Sequence, residues 1–143
     1  MKIETNVLTA EVFLNLYGSV GWEPPLAAQV ETALKNSLAT FTAYDGETAV
    51  GMVRLLGDGG VSFYMKDFCV RPSYQGKGVG TMLFDAVERF VRAHVSPEWT
   101  VSLELISSKT AVPFYKRKGF EEMPCDLDGP GMMKMLRPLN EKR

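Results

Sequence analysis

The stretch best suited to chemistry is a glycine-rich loop that follows an apolar run. Residues 67–81 read Asp-Phe-Cys-Val-Arg-Pro-Ser-Tyr-Gln-Gly-Lys-Gly-Val-Gly-Thr. Glycine permits unusual backbone angles and close approach of a ligand, so several N–H groups can converge on an anion. A helix that begins here adds the positive end of its dipole. The loop is therefore predicted to cradle a diphosphate through Gly76, Gly78 and Gly80, with Lys77 adding a charge at the rim.

The spacing of the glycines excludes two other glycine-rich sites. A Walker A loop carries Ser or Thr directly after its lysine, but Gly78 follows Lys77 here. A dinucleotide-binding fingerprint ends on a glycine at the position that Thr81 occupies. The alternative is a plain strand-to-helix turn, although alternating glycines would then weaken the start of the helix.

The elements on either side of the loop follow from hydrophobic periodicity. An apolar stripe at helical spacing predicts a long amphipathic helix; its members are Val79, Met82, Leu83, Ala86, Val87, Phe90 and Val91. Before the loop, residues 40–44, 48–56 and 61–70 predict three antiparallel strands, the first two joined by the hairpin signal Asp45-Gly46. After the helix, residues 100–106 predict a buried strand that can lie parallel to the strand before the loop.

The ends of the chain complete the expected fold. Residues 3–7 predict a first strand, two helices follow, and a short helix covers about residues 110–118. Residues 120–125 and 132–136 predict two final strands. The fold class is therefore mixed α/β, in the order β-α-α-β-β-β-α-β-α-β-β. We expect one domain, residues 1–143, with a mostly antiparallel sheet of six to seven strands and about four flanking helices.

Composition narrows the class of protein. The chain has 143 residues and a net charge of −1, which argues against nucleic-acid or membrane-surface binding. Two cysteines give no disulfide framework, so reduced thiols in a cytoplasm are expected. No apolar run is long enough to span a bilayer. We expect no metal.

Two motifs resemble those of the GNAT N-acetyltransferases. Residues 75–80, Gln-Gly-Lys-Gly-Val-Gly, match the family signature [QR]-x-x-G-x-[GA], and residues 111–120 match its A-x-x-F-Y-x-x-x-G-F block. The predicted order of strands and helices resembles the family fold over essentially the whole chain. The resemblance implies an enzyme that moves an acetyl group from acetyl-CoA to a primary amine of a small acceptor. It also implies a homodimer.

The resemblance assigns roles to residues in and around the loop. The diphosphate would lie on Gln75, Gly76, Lys77, Gly78, Val79 and Gly80, with Thr81 just inside the helix. Backbone groups of Phe68, Cys69 and Val70 would pair with the pantetheine arm, and an N–H there would polarise the thioester carbonyl. Tyr115 matches the tyrosine that protonates the leaving thiolate; packing beside a neighbouring phenylalanine is the alternative. Ser108 stands where relatives often carry a cofactor-binding asparagine.

The remaining candidates concern the proton acceptor and the amine. Asp67 and Glu104 are candidate general bases, and a solvated or ion-paired carboxylate is the alternative for each. Cys69 could also take the acetyl group first in a covalent route; the alternative is that its side chain only packs in the strand. Acceptor-binding candidates are Trp22, Glu23 and Tyr64, although Trp22 is equally explained as an anchor of its loop.

Two other functions stay open at this point. One is a non-catalytic module that senses acyl-CoA, and the other is an acetyltransferase for protein lysines or N-termini. Among small acceptors, arylalkylamines or polyamines come before aminoglycosides.

Overall fold

The structure is a computed structural model that describes residues 1–139. The chain forms two compact units, Met1–Leu105 and a second that begins at Ile106. The single-domain interpretation stays a prediction, and its residues 140–143 lie outside the described part.

The first unit is built on one open sheet of five strands. The strands are β1 (Lys2–Thr5), β2 (Ala39–Asp45), β3 (Thr48–Gly57), β4 (Ser62–Val70) and β5 (Ser102–Glu104). They lie in the order β1-β2-β3-β4-β5. The first four are antiparallel neighbours, and β5 runs parallel to β4. The mixed, mostly antiparallel sheet is therefore confirmed.

Four α-helices are present in the described residues, as expected. They are α1 (Ala10–Ser19), α2 (Ala27–Lys35), α3 (Val79–His94) and, in the second unit, α4 (Val112–Arg117). A 3-10 turn (Pro72–Tyr74) lies between β4 and α3. Thr9 Oγ1 accepts the N–H of Val12 at 3.2 Å and so caps the first turn of α1.

Neighbouring residues of β3 show that helices cover both faces of the sheet. Met52 belongs to the buried cluster that contains Phe13 and Leu16 of α1. The adjacent Gly51 faces α3, where an added Cβ would lie 3.0 Å from Leu83 Cδ1. Successive residues of a strand point to opposite faces, so α1 and α3 pack on opposite sides. The glycine allows α3 to approach closely.

The expectation of six to seven strands is wrong, because the sheet in residues 1–139 has five. The two strands predicted at the end of the chain, residues 120–125 and 132–136, are not formed. A strand needs a backbone partner, and here the backbone hydrogen bonds are local: Phe120 N–H donates to Tyr115 and Cys125 N–H donates to Asp128. Without such a partner the segment stays irregular, and its Met132 is 90% exposed.

Over residues 1–139, no helix combines the length and apolar character that crossing a membrane requires.

Candidate functional site

The pairing between β4 and β5 stops well before β4 ends. The parallel ladder runs from Ser62↔Ser102 to Tyr64↔Glu104. Beyond that pair β4 continues to Val70, with no further β5 partner among the described residues. The edge of β4 that follows Tyr64 thus contains the three residues assigned to the pantetheine arm: Phe68, Cys69 and Val70.

A β-bulge distorts β4 just before those residues. Asp67 and Phe68 lie opposite the single residue Val53, between the flanking pairs Met52↔Cys69 and Arg54↔Lys66. Asp67 adopts a φ of 57°, in the left-handed region that non-glycine residues seldom occupy. A bulge bends its strand and increases the local twist. It therefore turns β4 where the ladder to β5 has ended.

Asp67 is held by a nearly buried ion pair. Arg54 Nε lies 2.9 Å from Asp67 Oδ2, and the two side chains are 14% and 9% exposed. The Arg54 guanidinium also donates to Ser37 Oγ at 3.4 Å, and that hydroxyl donates to the Ala33 carbonyl of α2 at 2.7 Å. Of the two readings of Asp67, the structure therefore has the ion-paired carboxylate.

The start of the glycine-rich loop is tied to β3 and α1 by Arg71. Its backbone N–H donates to Val50 at 2.8 Å, and its Nε donates to the Ala49 carbonyl at 2.7 Å. The guanidinium also donates to Asn15 Oδ1 of α1. Sequence reasoning gave Arg71 no role, and its signal was only its place beside Pro72 at the end of β4.

The loop then folds back on β4 and opens into α3. Gln75 Nε2 donates to the Val70 carbonyl at 2.9 Å, so the first residue of the signature fixes the turn. Gly76 and Gly78 have φ values of 74° and 85°, which a residue with a Cβ rarely adopts. Both lie at the surface with open space around them.

The N-terminus of α3 is left without a side-chain cap. Its N-cap residue is Gly78, and no side chain caps the helix there. The first N–H groups of an α-helix have no partner inside the helix, so Val79, Gly80 and Thr81 present donors at its positive end. Convergent amides without a competing cap are what a diphosphate requires. The residues present therefore fit the diphosphate of coenzyme A.

Lys77 lies at the rim of this loop. Its Nζ lies 5.5 Å from the centre of the Tyr74 ring. The Tyr74 hydroxyl donates to Asp45 Oδ2 at 2.7 Å, and this hydrogen bond raises the pKa of Tyr74. A cation beside the uncapped amides adds to the attraction for an anion.

The Cys69 side chain is buried in the core beneath α1. It is 5% exposed and lies in the buried cluster against α1, with its Sγ 3.9 Å from the Leu16 carbonyl oxygen. Burial, with a smaller effect of Asp67, raises the pKa of the thiol to about 12. The thiol is the poorly nucleophilic form, which favours packing over the covalent route. Only the backbone of Cys69 fits the cofactor role.

Tyr115 and Ser108 belong to the second unit. Tyr115 lies on α4, with edge-to-face ring contacts to Phe114 and Phe120 at 5.3 and 5.6 Å. Burial raises the pKa of Tyr115 to about 12, so the phenol stays protonated at neutral pH. Ser108 is exposed, and its carbonyl accepts the N–H of Ala111 at 3.2 Å. Helix α4 ends at Arg117, and Gly119 follows it with a φ of 94°.

Tyr64 of β4 and Glu104 of β5 are cross-strand partners. Glu104 is exposed, and its Oε2 accepts the Ser102 hydroxyl at 2.9 Å. Burial and the Glu104 charge raise the pKa of Tyr64.

The acceptor candidates near α1 are only partly brought together. Trp22 is partly buried against the α1 cluster, with its ring edge-to-face to Tyr17 at 5.1 Å, while Glu23 is exposed. Tyr17 also stacks on Phe13, and burial together with the charge of Asp67 raises its pKa. Sequence reasoning missed Tyr17; its signal was the i, i+4 spacing to Phe13.

No three His, Cys, Asp or Glu side chains among residues 1–139 cluster closely enough to hold a metal ion.

Comparisons with known proteins agree with this arrangement. The family model described as "Acetyltransferase (GNAT) domain" matches residues 16–131. The chain therefore belongs to the GNAT acetyltransferase family.

Solved structures give the same result. A probable acetyltransferase of unknown function from meticillin-resistant Staphylococcus aureus is 30% identical, with a TM-score of 0.82 over 94% of this chain and 98% of that one. A GNAT-family acetyltransferase from Streptococcus pneumoniae is 33% identical, with a TM-score of 0.76 over 96% and 98% of the two chains.

Among curated proteins, the GCN5-related N-acetyltransferase 2 of Arabidopsis thaliana, described as chloroplastic, is 30% identical. The match covers 80% of this chain and 50% of the plant protein, so the chain spans about half of its length.

Proposed function

We propose that the chain transfers an acetyl group from acetyl-CoA to a primary amine of a small molecule by direct attack. The observation that carries the proposal is the uncapped start of α3, reached through Gly76 and Gly78 with positive φ. A helix start suited to an anion, joined by a short loop to a strand that has left its pairing with β5, suits a diphosphate attached to an extended arm. Acetyl-CoA supplies the activated thioester.

Binding is assigned to two backbone segments. The amides of residues 76–81 hold the diphosphate, with Lys77 adding charge. The β4 backbone at Phe68, Cys69 and Val70 pairs with the arm beyond the end of the β4–β5 ladder. A backbone N–H at this place polarises the thioester carbonyl without any reorganisation.

Proton movement is assigned to two side chains. In the transfer, the carbonyl carbon forms a bond to the amine nitrogen and loses its bond to sulfur; the nitrogen gives up one proton and the sulfur gains one. Tyr115 donates to the sulfur, since its phenol carries a proton at neutral pH. Glu104 accepts the amine proton, directly or through water, because its carboxylate is exposed while Asp67 is engaged by Arg54.

The experiment is thiol release from acetyl-CoA in the presence of an amine panel, with the acetylated product identified by mass spectrometry. The panel holds an arylalkylamine, a polyamine, an aminoglycoside and a lysine-containing peptide. The proposal expects release that depends on a small primary amine. The matched control is the N,N-dimethyl form of the same amine, which cannot give a stable amide.

Two results would overturn the proposal in different ways. Calorimetric binding of coenzyme A without release in any arm would identify an acyl-CoA sensor. Release only with the peptide would identify a protein acetyltransferase.

A further inference from the structure

We propose that Arg54 and Asp67 are positioning residues that hold the bulge of β4 in the form that binds acetyl-CoA. The inference rests on the proposed function. It concerns two residues that form a single ion pair between β3 and β4.

The register of the two strands shows what the pair must hold. At one end the partners are Gly51↔Val70 and Met52↔Cys69, and this register, continued without a bulge, would place Arg54 opposite Asp67. The bulge moves Lys66 into that position instead. Residues directly opposite in an antiparallel ladder point to the same face, so Arg54 faces a like charge across the strand.

Asp67 supplies the opposite charge that this register lacks. Its Oδ2 lies 2.9 Å from Arg54 Nε, with both side chains nearly buried. Asp67 makes this contact with its backbone at a φ of 57°, a conformation that aspartate tolerates better than most residues. Without the carboxylate, Arg54 would keep a nearly buried charge opposite Lys66, which would destabilise the observed register.

The pair is anchored on its other side to α2. Arg54 donates to the Ser37 hydroxyl, which donates to the Ala33 carbonyl near the end of that helix. One side chain thus connects the C-terminal part of α2 to the bend of β4. The bend lies directly before Phe68, whose backbone begins the segment assigned to the pantetheine arm.

A positioning role for the ion pair and a general-base role for Asp67 predict different effects on coenzyme A binding and on kcat. A positioning pair sets the geometry of the β4 backbone, so its loss weakens coenzyme A binding. A base acts on the amine proton, so its loss lowers kcat and leaves coenzyme A binding unchanged.

The test is a double-mutant cycle on coenzyme A affinity, measured by calorimetry for Arg54→Met, Asp67→Asn and the double variant. We expect each single change to raise the Kd for coenzyme A by about tenfold, and the double change to add little, because both remove one interaction. Additive losses would overturn the proposal. So would an Asp67→Asn variant with unchanged Kd and a reduced kcat, which is the signature of a base.

Two further variants separate positioning from loss of fold. Glu4→Gln removes the carboxylate of the ion pair Lys2–Glu4 in the same sheet, and we expect unchanged affinity. Arg54→Lys keeps a cation but not the guanidinium that reaches both Asp67 and Ser37, so we expect a clearly smaller rise in Kd than for Arg54→Met. An Arg54→Lys loss as large as that of Arg54→Met, with native circular dichroism in both, would overturn the proposal. Failure of the unmodified chain to bind coenzyme A would instead overturn the proposed function.

Discussion

The hydroxyl of Tyr74 donates a 2.7 Å hydrogen bond to Asp45 Oδ2. Asp45 ends β2 at the turn of the β2–β3 hairpin, and Tyr74 ends the 3-10 turn that precedes the glycine-rich loop. The hairpin turn and the loop are therefore joined by two side chains at the surface. Lys77 lies beside the same ring, so the contact also bears on where that cation is held.

The Tyr74→Phe change tests this contact, because it removes the hydroxyl and keeps the ring. We expect coenzyme A affinity to fall by about threefold, since a less ordered loop must be immobilised on binding. Calorimetric titration measures the change. Ser102→Ala, which removes another exposed side-chain hydrogen bond, is the control and should leave the affinity unaltered. Equal affinities for Tyr74→Phe and wild type would show that the contact does not order the loop.

Gly78→Ala tests the left-handed start of α3. An added Cβ would meet no atom within 4 Å, so the penalty is conformational and arises from the φ of 85°. We expect a loss of about 1 kcal/mol in the free energy of unfolding and weaker coenzyme A binding. Urea denaturation measures the first effect. Gly60→Ala is the control: it lies in another turn without positive φ and should be near neutral.

The Cys69 thiol gives a prediction for alkaline pH. Its pKa rises from 9.0 to about 12 on folding, so the folded state holds the proton more tightly. The stability from this group is full below pH 9 and is lost as the pH rises from 9 to 12. Between pH 9 and pH 10 we expect it to account for about 1 kcal/mol of the decline in unfolding free energy.

Cys69→Ala should remove that part of the decline, while Cys125→Ala should keep it; urea unfolding at the two pH values compares them. The same Cys69→Ala variant should also keep acetyl transfer, since direct attack makes no use of the thiol. An alanine variant that folds but cannot turn over would restore the covalent route.

Tyr115→Phe tests the proton donor. The change keeps the ring contacts with Phe114 and Phe120 and removes the hydroxyl. We expect kcat to fall by about 10²-fold or more with little change in the Kd for coenzyme A. In the unmodified chain, no loss of rate from ionisation of this phenol should occur between pH 8 and pH 10, because its pKa is about 12. Full kcat in the phenylalanine variant would assign Tyr115 to packing.

Much of this fold could be predicted because the signals were local. The stripe that begins at Val79 and Leu83 specifies α3, since only a helix puts these residues on one buried face. Asp45-Gly46 predicts the hairpin, and Gly46 has the positive φ, 60°, that its turn requires. The glycine at position 78 could be read in the same way.

The features that shape the site were harder to read because they depend on distant partners. Asp67, which lies in the bulge, pairs with Arg54 on another strand, and nothing in the local sequence marks a positive φ there. The prediction of two terminal strands was wrong for a related reason. The apolar pattern around Met133 and Met135 states what a strand could bury but not whether a backbone partner is available.

The most direct test of the central claim is a titration of the ¹⁵N-labelled chain with coenzyme A, followed by amide chemical shifts. The account predicts saturable shifts of Gly76, Gly78, Val79, Gly80 and Thr81, with Gly59 in the turn between β3 and β4 serving as an internal reference. Saturable binding that leaves the amides of residues 76–81 unshifted would contradict the assignment of the diphosphate to the start of α3.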